Sequence, residues 1–305
     1  MKSNCTLAIK IDVDTERGTQ IGITNLLALF KELGIPATFL FSLGPDNTGK
    51  AIKRIFRPGF LKKVSRTSVV KIYGWRTLLN GVLLPAPHIG RRQQAIIRSV
   101  AETEHEVGIH CYDHIHWQDG LAQMSQAEVS DELAKALQEF KRIFGFDAKT
   151  AGAAGWQANA YSLSAYDAAD FLYGSDTRGT TPFFPMVNGQ RFKTLQIPTT
   201  LPALDELLGR PEFPDEQLSD YYLALLKPNR LNVWTIHAEI EGMFKLTWFK
   251  QCLIKFLQHN VNFQRLDQMA LNLLKERDKI PYCEMQVGTV DGRSGNLATQ
   301  GVSAF

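Results

Sequence analysis

The stretch CTLAIKIDVD, residues 5–14, indicates the fold class of this chain. It predicts a buried strand from Cys5 to Val13 that ends in two carboxylates. Similar apolar runs recur at 37–43 (ATFLFSL), 106–112 (EVGIHCY) and 231–237 (LNVWTIH). Helix-like segments such as Ile21 to Leu33 separate them. This alternation predicts an α/β architecture with largely parallel strands, arranged as a barrel or as an open sheet.

Local signals set the bounds of the later elements. Ser125, with Glu128 three residues on, predicts a capped helix that ends near Phe144, before Gly145. A last helix is expected from about Leu246 to His259. Beyond residue 283 the chain becomes rich in Gly, Ser and Thr. We therefore expect one folded domain over residues 1–283 and a flexible tail over residues 284–305.

The composition is typical of a soluble protein, with 44% hydrophobic and 21% charged residues among 305. No run of eighteen apolar residues is present, and the first residues lack the pattern of a secretory signal. The four cysteines show no CxxC or framework spacing. Reduced thiols in the cytoplasm are the simplest interpretation.

Residues 45–92 form a strongly basic insertion. They include eleven Lys or Arg and one acid, a net charge of +10, whereas the whole chain carries +3. Ile52, Ile55, Phe56 and Phe60 follow helical spacing among these cations. Such a segment can lie on an anionic inner-membrane surface, which would make the protein peripheral to the membrane. Alternatively, its apolar side packs on the barrel. A nucleic-acid partner is not expected, because no nucleic-acid motif accompanies the patch.

Three groups of residues at predicted strand ends can carry chemistry. The first is the pair Asp12 and Asp14, whose side chains point to one face if the strand alternates regularly. One of them can bind a metal ion while the other acts as a base. The same pair is also typical of a helix N-cap or of a salt-bridged strand end.

The second group is His110 and His114, in the stretch GIHCYDHIHW. Two imidazoles four residues apart can bind one cation if the chain turns helical after the strand. The pattern is not the HExxH of zinc proteases, because no Glu follows His110. A coincidental spacing is the alternative interpretation.

The third group is His237, which ends the apolar stretch VWTIH, with Glu239 two residues later. A histidine with a pKa near neutrality can act as a general acid, and Glu239 can orient it. A polar cap on a buried strand is the alternative. Together, the three groups supply what metal-assisted amide hydrolysis requires.

IDVD, HCYDH and TIH, in this order, resemble the first, second and last motifs of the polysaccharide deacetylase (NodB-homology) superfamily. The resemblance implies a distorted barrel of parallel strands. It also implies that Asp12 is the general base and His237 the general acid. Asp14, His110 and His114 would bind one divalent metal ion, which could be zinc, cobalt, manganese or nickel.

Longer stretches, among them IDVDTERGT, SDTRG, QIPTTLP and TIHAEIEG, resemble the deformylases of the lipid A aminoarabinose pathway. This resemblance covers about residues 7–274. It implies deformylation of 4-deoxy-4-formamido-L-arabinose carried on undecaprenyl phosphate, on the cytoplasmic face of the inner membrane. The product of that pathway supports resistance to polymyxin and other cationic antimicrobial peptides. The alternatives are a deacetylase of another amino sugar and a non-catalytic protein that binds sugars or lipids.

One motif departs from the superfamily. Its Arg-x-Pro motif, whose Arg orients the base, is missing, and Trp156 and Gln157 stand in that region. Gln157 is uncharged and cannot form an ion pair. We expect Arg178 to supply the missing charge and Asp176 to support the site. Trp156, Gln157 and Glu239 are candidate substrate-binding residues, and a core position is the alternative for Trp156.

Overall fold

The computed structural model describes residues 5–56 and 69–304. Twelve strands are found in these ranges: β1 (Cys5–Val13), β2 (Thr38–Ser42), β3 (Glu106–Cys111), β4 (Thr150–Ala151), β5 (Tyr173–Gly174), β6 (Phe184–Val187), β7 (Gln190–Arg191), β8 (Leu195–Gln196), β9 (Val233–His237), β10 (Val261–Phe263), β11 (Tyr282–Gly288) and β12 (Leu297–Ala304).

The α-helices of the same ranges vary from one turn to nineteen residues. They are α1 (Ile23–Leu33), α2 (Val69–Tyr73), α3 (Ile89–Arg92), α4 (Gln94–Ala101), α5 (His114–Gly120), α6 (Gln126–Phe144), α7 (Ala160–Ala168), α8 (Leu204–Leu207), α9 (Leu218–Leu225), α10 (Leu246–Gln258) and α11 (Leu266–Leu274). Single turns of other helix types lie between them, among them Ala154–Trp156.

Eight of the strands form one parallel sheet. Its order is β10-β1-β2-β3-β4-β5-β8, and β9 also pairs with β1. The chain after β8 meets β9, because the backbone amides of Thr200 and Leu201 donate to the Val233 carbonyl. The sheet therefore curls into a distorted barrel, and the predicted fold class is confirmed.

Alternation along β1 separates two environments. Ile9 and Ile11 belong to the large apolar cluster, which also holds Leu26 of α1 and Phe249 of α10. Lys10 and Asp12 point to the opposite side of the strand. Both are almost fully buried, so β1 brings two charged groups into the barrel. The strand matches its predicted bounds.

The helix after residue 125 also matches its prediction. The Ser125 hydroxyl accepts a hydrogen bond from the Glu128 amide, and the Glu128 carboxylate accepts one from the Ser125 amide. The helix ends at Gly145, whose φ of 81° lies in the left-handed region that favours glycine. Two helical segments missed by the prediction, α11 and Arg277–Lys279, follow α10.

The structure corrects the expectation of a loose tail beyond residue 283. β11 pairs with β6 and β12, in a second sheet of order β12-β11-β6-β7. The Arg178 amide donates to the Ala298 carbonyl, and the Gln300 amide donates to the Arg178 carbonyl. Leu297 is buried against Trp156. The partners in β6, Arg178 and Trp156 are about a hundred residues or more away along the chain, so local composition gave no sign of them.

The insertion over residues 45–92 is partly helical where it is described. Thr48–Phe56 and Thr77–Leu79 are 3₁₀ helices, and α2 lies between them. Residues 80–88 are turns, isolated bridges and irregular chain. Phe60 and the cations between residues 57 and 66 lie outside the described residues. Within the described ranges, no helix combines the length and apolarity needed to cross a membrane.

Substitution of Leu297 tests whether the C-terminal strands belong to the folded domain. Leu297 is 1% exposed, whereas Val302, on the same strand, is 78% exposed. Leu297→Ala is expected to lower the free energy of unfolding by about 2–5 kcal/mol in urea titrations, because it leaves a cavity. Val302→Ala, the control, is expected to change it by less than about 0.5 kcal/mol. Equal, small effects of both would contradict the ordered hairpin.

Candidate active site

Side chains from three strands meet at the carboxyl-terminal edge of the barrel. In the sheet, Asp12 of β1 lies opposite His237 of β9. His110 belongs to the neighbouring part of the barrel, on β3, and Asp14 follows β1. Because parallel strands end at the same edge, residues more than two hundred positions apart come together there.

Asp113 explains how His110 and His114 face one point. It is the N-cap of α5, and its Oδ1 accepts hydrogen bonds from the amides of Ile115 and His116. The chain therefore turns from strand to helix between the two histidines. The predicted turn after the strand is present, and it places the two imidazole rings 5.3 Å apart between centroids.

Asp14, His110 and His114 form a group that fits a divalent metal ion. Asp14 Oδ1 lies 3.3 Å from His110 Nε2 and 3.5 Å from His114 Nε2. The three ligand atoms all lie within 4.8 Å of one another. Asp14 Oδ1 is buried and accepts no hydrogen bond from any described residue. A buried carboxylate oxygen beside two imidazole nitrogens is a suitable donor set for zinc and related ions.

The contact of His110 with Gly152 shows which ring nitrogen of His110 is a hydrogen-bond donor. His110 Nδ1 lies 2.6 Å from the Gly152 carbonyl oxygen. A carbonyl can only accept, so Nδ1 carries a proton, and Nε2 is the ring nitrogen that faces Asp14. Metal-binding histidines are commonly held by such a bond.

The charges around Asp14 favour its ionised form. Burial alone would raise the pKa of this carboxyl group. The nearby charges of His114 and His110, together with the His110 contact, hold the pKa well below its usual range. Asp14 is therefore an anion over the physiological range, as a metal ligand must be.

The cation beside Asp12 is Lys10, a residue that the sequence analysis missed. Its Nζ lies 3.8 Å from Asp12 Oδ1 and donates to the Ser175 carbonyl at 2.9 Å. Arg178, which we expected in this position, instead pairs with Glu206 at 2.6 Å and donates to the Leu201 carbonyl. The sequence signal was a lysine on the Asp12 face of an otherwise apolar strand.

His237 is held by Glu241 and not by Glu239. The Glu241 carboxylate accepts a hydrogen bond from the His237 amide at 2.9 Å, and burial raises the pKa of Glu241 to about 8. His237 Nδ1 is buried and has no hydrogen-bond partner among the described residues. Glu241 thus holds the backbone of His237, and a nitrogen of the ring stays available for other chemistry.

Glu239 shapes the loop that carries Asp14. Its Oε1 accepts from the amides of Asp14 and Thr15 and from the Thr15 hydroxyl. Burial and the charge of Asp14 raise the pKa of Glu239 to about 8. A Cβ on Gly18 would lie 2.0 Å from this oxygen, so a larger residue there would displace the Glu239 carboxylate. The predicted contact of Glu239 with substrate stays a prediction.

Asp176 is fully buried, and its predicted role in supporting the site stays a prediction. It accepts hydrogen bonds from the Ala153 amide, the Tyr166 hydroxyl and the Gln196 side-chain amide. Burial raises its pKa, and the hydrogen bonds and the charge of Lys10 oppose this effect. Asp176 therefore ties the ends of β4, β5 and β8 together.

Trp156 and Gln157 pack beneath the C-terminal segment. Trp156 is 2% exposed and donates from its indole nitrogen to the Thr199 hydroxyl. The guanidinium of Arg293 lies 4.5 Å from its ring centre. Gln157 donates to the Asn296 carbonyl. Their predicted substrate contacts stay predictions.

Comparisons with known proteins identify the family that the motifs of the sequence resemble. The polysaccharide deacetylase family model matches residues 11–173. A protein of Shewanella sediminis is 36% identical over 295 residues, covering 96% of this chain and 94% of its own. One of Wigglesworthia glossinidia brevipalpis is 33% identical, covering 93% of this chain and 98% of its own. Both are named "Probable 4-deoxy-4-formamido-L-arabinose-phosphoundecaprenol deformylase ArnD".

A solved structure shares the fold. It is described as a polysaccharide deacetylase from Mycobacterium smegmatis and aligns with a TM-score of 0.61 at 14% identity. The alignment covers 91% of this chain and 92% of that one. At this level of identity the likeness concerns the fold alone.

Metal content tests the proposed ligand group. His114→Ala is expected to lower the affinity for a divalent ion by roughly 10-fold or more, because one of three protein ligands is lost. The exposed His116, two residues later, is the control, and His116→Ala is expected to bind as wild type does. Equilibrium dialysis of stripped protein against zinc, followed by metal analysis, gives both values. Equal binding by the two variants would exclude His114 as a ligand.

Proposed function

The chain belongs to the polysaccharide deacetylase family and is a hydrolase of amide C–N bonds, and from this premise we propose that it deformylates 4-deoxy-4-formamido-L-arabinose carried on undecaprenyl phosphate. The observation that carries the proposal is the meeting of Asp14, His110 and His114 with Asp12 and His237 at one edge of the barrel. Similarity over nearly the whole chain to two proteins that are named as deformylases of this sugar lipid supports the choice of substrate.

The residues divide the work of hydrolysis among them. Asp14, His110 and His114 would hold one divalent ion, which supplies Lewis acidity when bound. Asp12, whose Oδ1 is buried and accepts no hydrogen bond from a described residue, takes the proton from the attacking water. His237 gives a proton to the departing amine. Formate and the 4-amino sugar lipid are the products.

The proposed product has a physical consequence for the cell surface. A primary amine is positively charged near neutral pH. Its transfer to lipid A would offset phosphate charge there and weaken the attraction of cationic peptides such as polymyxin. We therefore place the protein in a pathway that protects against these peptides.

Release of formate and primary amine from a short-chain polyprenyl-phosphate formamido-arabinose tests the reaction. Asp12→Asn is expected to lower turnover by roughly 10²–10⁴-fold, because the proton acceptor is lost, while metal content is unchanged. Asp278→Asn, at an exposed position, serves as the control and is expected to keep wild-type turnover.

Two results would contradict the assignment. Hydrolysis of the N-acetyl sugar in preference to the N-formyl sugar would make the protein a deacetylase of another amino sugar. Absence of turnover on both, with the sugar lipid still bound, would make it a binding protein.

Because the proposed substrate carries a lipid chain, we expect the reaction at a membrane surface. The insertion has an exposed apolar surface that can contact such a membrane. Five large apolar side chains of the insertion are more than half exposed: Ile52, Val70, Trp75, Val82 and Leu83. Lys50, Lys71 and Arg76 are exposed among them. Each cation near an anionic leaflet contributes about 1 kcal/mol. We propose that this docking surface holds the enzyme on the cytoplasmic face of the inner membrane.

Hydrogen bonds and an ion pair connect the insertion to the loop that carries Asp14. Arg17 donates to the Ile72 carbonyl at the end of α2, at 2.8 Å. Glu16 pairs with Arg92 at 2.9 Å, and the Glu16 amide donates to Asp46. A bilayer under the insertion would therefore lie near the metal ligands, where a membrane-bound sugar phosphate must reach.

Sedimentation with phosphatidylglycerol vesicles tests the docking surface. Leu83, 74% exposed, and Val302, 78% exposed on β12, are matched in exposure. Leu83→Ser is expected to reduce the sedimented fraction, whereas Val302→Ser is expected to leave it unchanged. High salt is expected to release the wild type, because it screens the basic residues. Salt-insensitive sedimentation, or equal effects of both variants, would contradict membrane docking by the insertion.

A further inference from the structure

Lys10 is a lysine with no exposed surface in the interior of the barrel. Burial lowers the pKa of its ammonium group, and the charges of Asp12 and Asp176 oppose this effect. A buried ammonium group is costly unless it is paired and hydrogen-bonded. Its position therefore calls for a role that an apolar residue cannot fill.

The surroundings of Lys10 keep its ammonium group in place. The group donates to the Ser175 carbonyl at 2.9 Å and lies 5.5 Å from the centre of the Trp156 ring. On another side lies Gly152, where a Cβ would approach Lys10 Nζ to 3.3 Å. The carbonyl of that same Gly152 holds His110. The ammonium group thus lies between β1, which carries the proposed base, and the ends of β4 and β5, next to the glycine that also contacts a proposed metal ligand.

Asp12 needs a fixed partner of this kind. Its Oδ1 accepts no hydrogen bond from a described residue. The two cationic or protonatable groups within 4 Å of that oxygen, among described residues, are Lys10 at 3.8 Å and His110 at 3.7 Å. His110 Nδ1 donates to the Gly152 carbonyl, and Lys10 supplies the ammonium group that faces Asp12. Arg178 forms its ion pair with Glu206.

We propose that Lys10 is a positioning residue, whose ammonium group balances the charge of Asp12 and fixes the orientation of its carboxylate toward the attacking water. The proposal rests on the proposed function, in which Asp12 is the base. At 3.8 Å the contact is electrostatic and not a hydrogen bond, so Asp12 keeps its lone pairs for the proton it receives. Lys10 itself touches neither substrate nor metal.

Lys10→Met tests this role, because methionine keeps the unbranched shape and removes the charge. The kcat for formate release is expected to fall roughly 10²-fold, the loss that misplacing a reacting group produces. KM and bound metal are expected to stay unchanged, because Lys10 contacts neither ligand. Lys10→Arg, which restores the charge, is expected to recover part of kcat.

A purely structural role for Lys10 predicts a different pattern. Lys10→Met leaves Asp176 buried without its cation, and instability alone could lower activity. The cycle of Lys10→Met, Asp176→Asn and the double variant separates the two roles. The double variant removes both charges, so it is expected to fold even if Lys10→Met does not. In the Asp176→Asn background, the substitution of Lys10 is still expected to lower kcat roughly 10²-fold.

Three results would overturn the proposal. The first is wild-type kcat in Lys10→Met. The second is a double variant with the kcat of Asp176→Asn, which would show that Lys10 only balances Asp176. The third is a loss of metal or a rise in KM that accounts for the lost rate. If the wild type releases no formate, the proposed substrate fails separately, and the same cycle is measured on whichever amide the wild type hydrolyses.

Discussion

Asp12 and Asp14 place two largely buried carboxylates at one edge of the barrel, and positive charge must balance them. The balance comes from different sources. Asp14 faces His110 and His114, a group suited to a divalent ion, whereas Asp12 faces the ammonium group of Lys10. Removing both anions from water without these partners would be strongly unfavourable. The positions of the histidines and of Lys10 follow from this constraint.

The same constraint orders the surroundings of the two carboxylates. Glu239 accepts three hydrogen bonds from the loop of Asp14, and Glu241 holds the backbone of His237. Burial raises the pKa of both glutamates to about 8. They therefore support the site near neutral pH largely without adding negative charge to it. Site chemistry is left to Asp12, Asp14 and the imidazoles.

The sequence predicted those features that depend on local pattern. Apolar runs predicted the parallel strands, and Ser125 with Glu128 predicted the start of the long helix. The spacing of His110 and His114 predicted one site if the chain turns helical after the strand, and the structure has this turn, capped by Asp113. Features set by distant contacts were missed. Arg178 was expected beside Asp12 and Lys10 was not, and only the fold pairs Arg178 with Glu206 and places Lys10 beside Asp12. β11, likewise, pairs with β6, which lies far away along the chain.

Metal occupancy and turnover, measured on the same samples, test the central claim most directly. Protein stripped of metal is titrated with zinc, cobalt, manganese or nickel, and bound metal and formate release are recorded at each step. The account predicts one ion per chain, with turnover rising in proportion to occupancy from zero. Full turnover in stripped protein, or turnover that does not follow occupancy, would contradict the role of Asp14, His110 and His114.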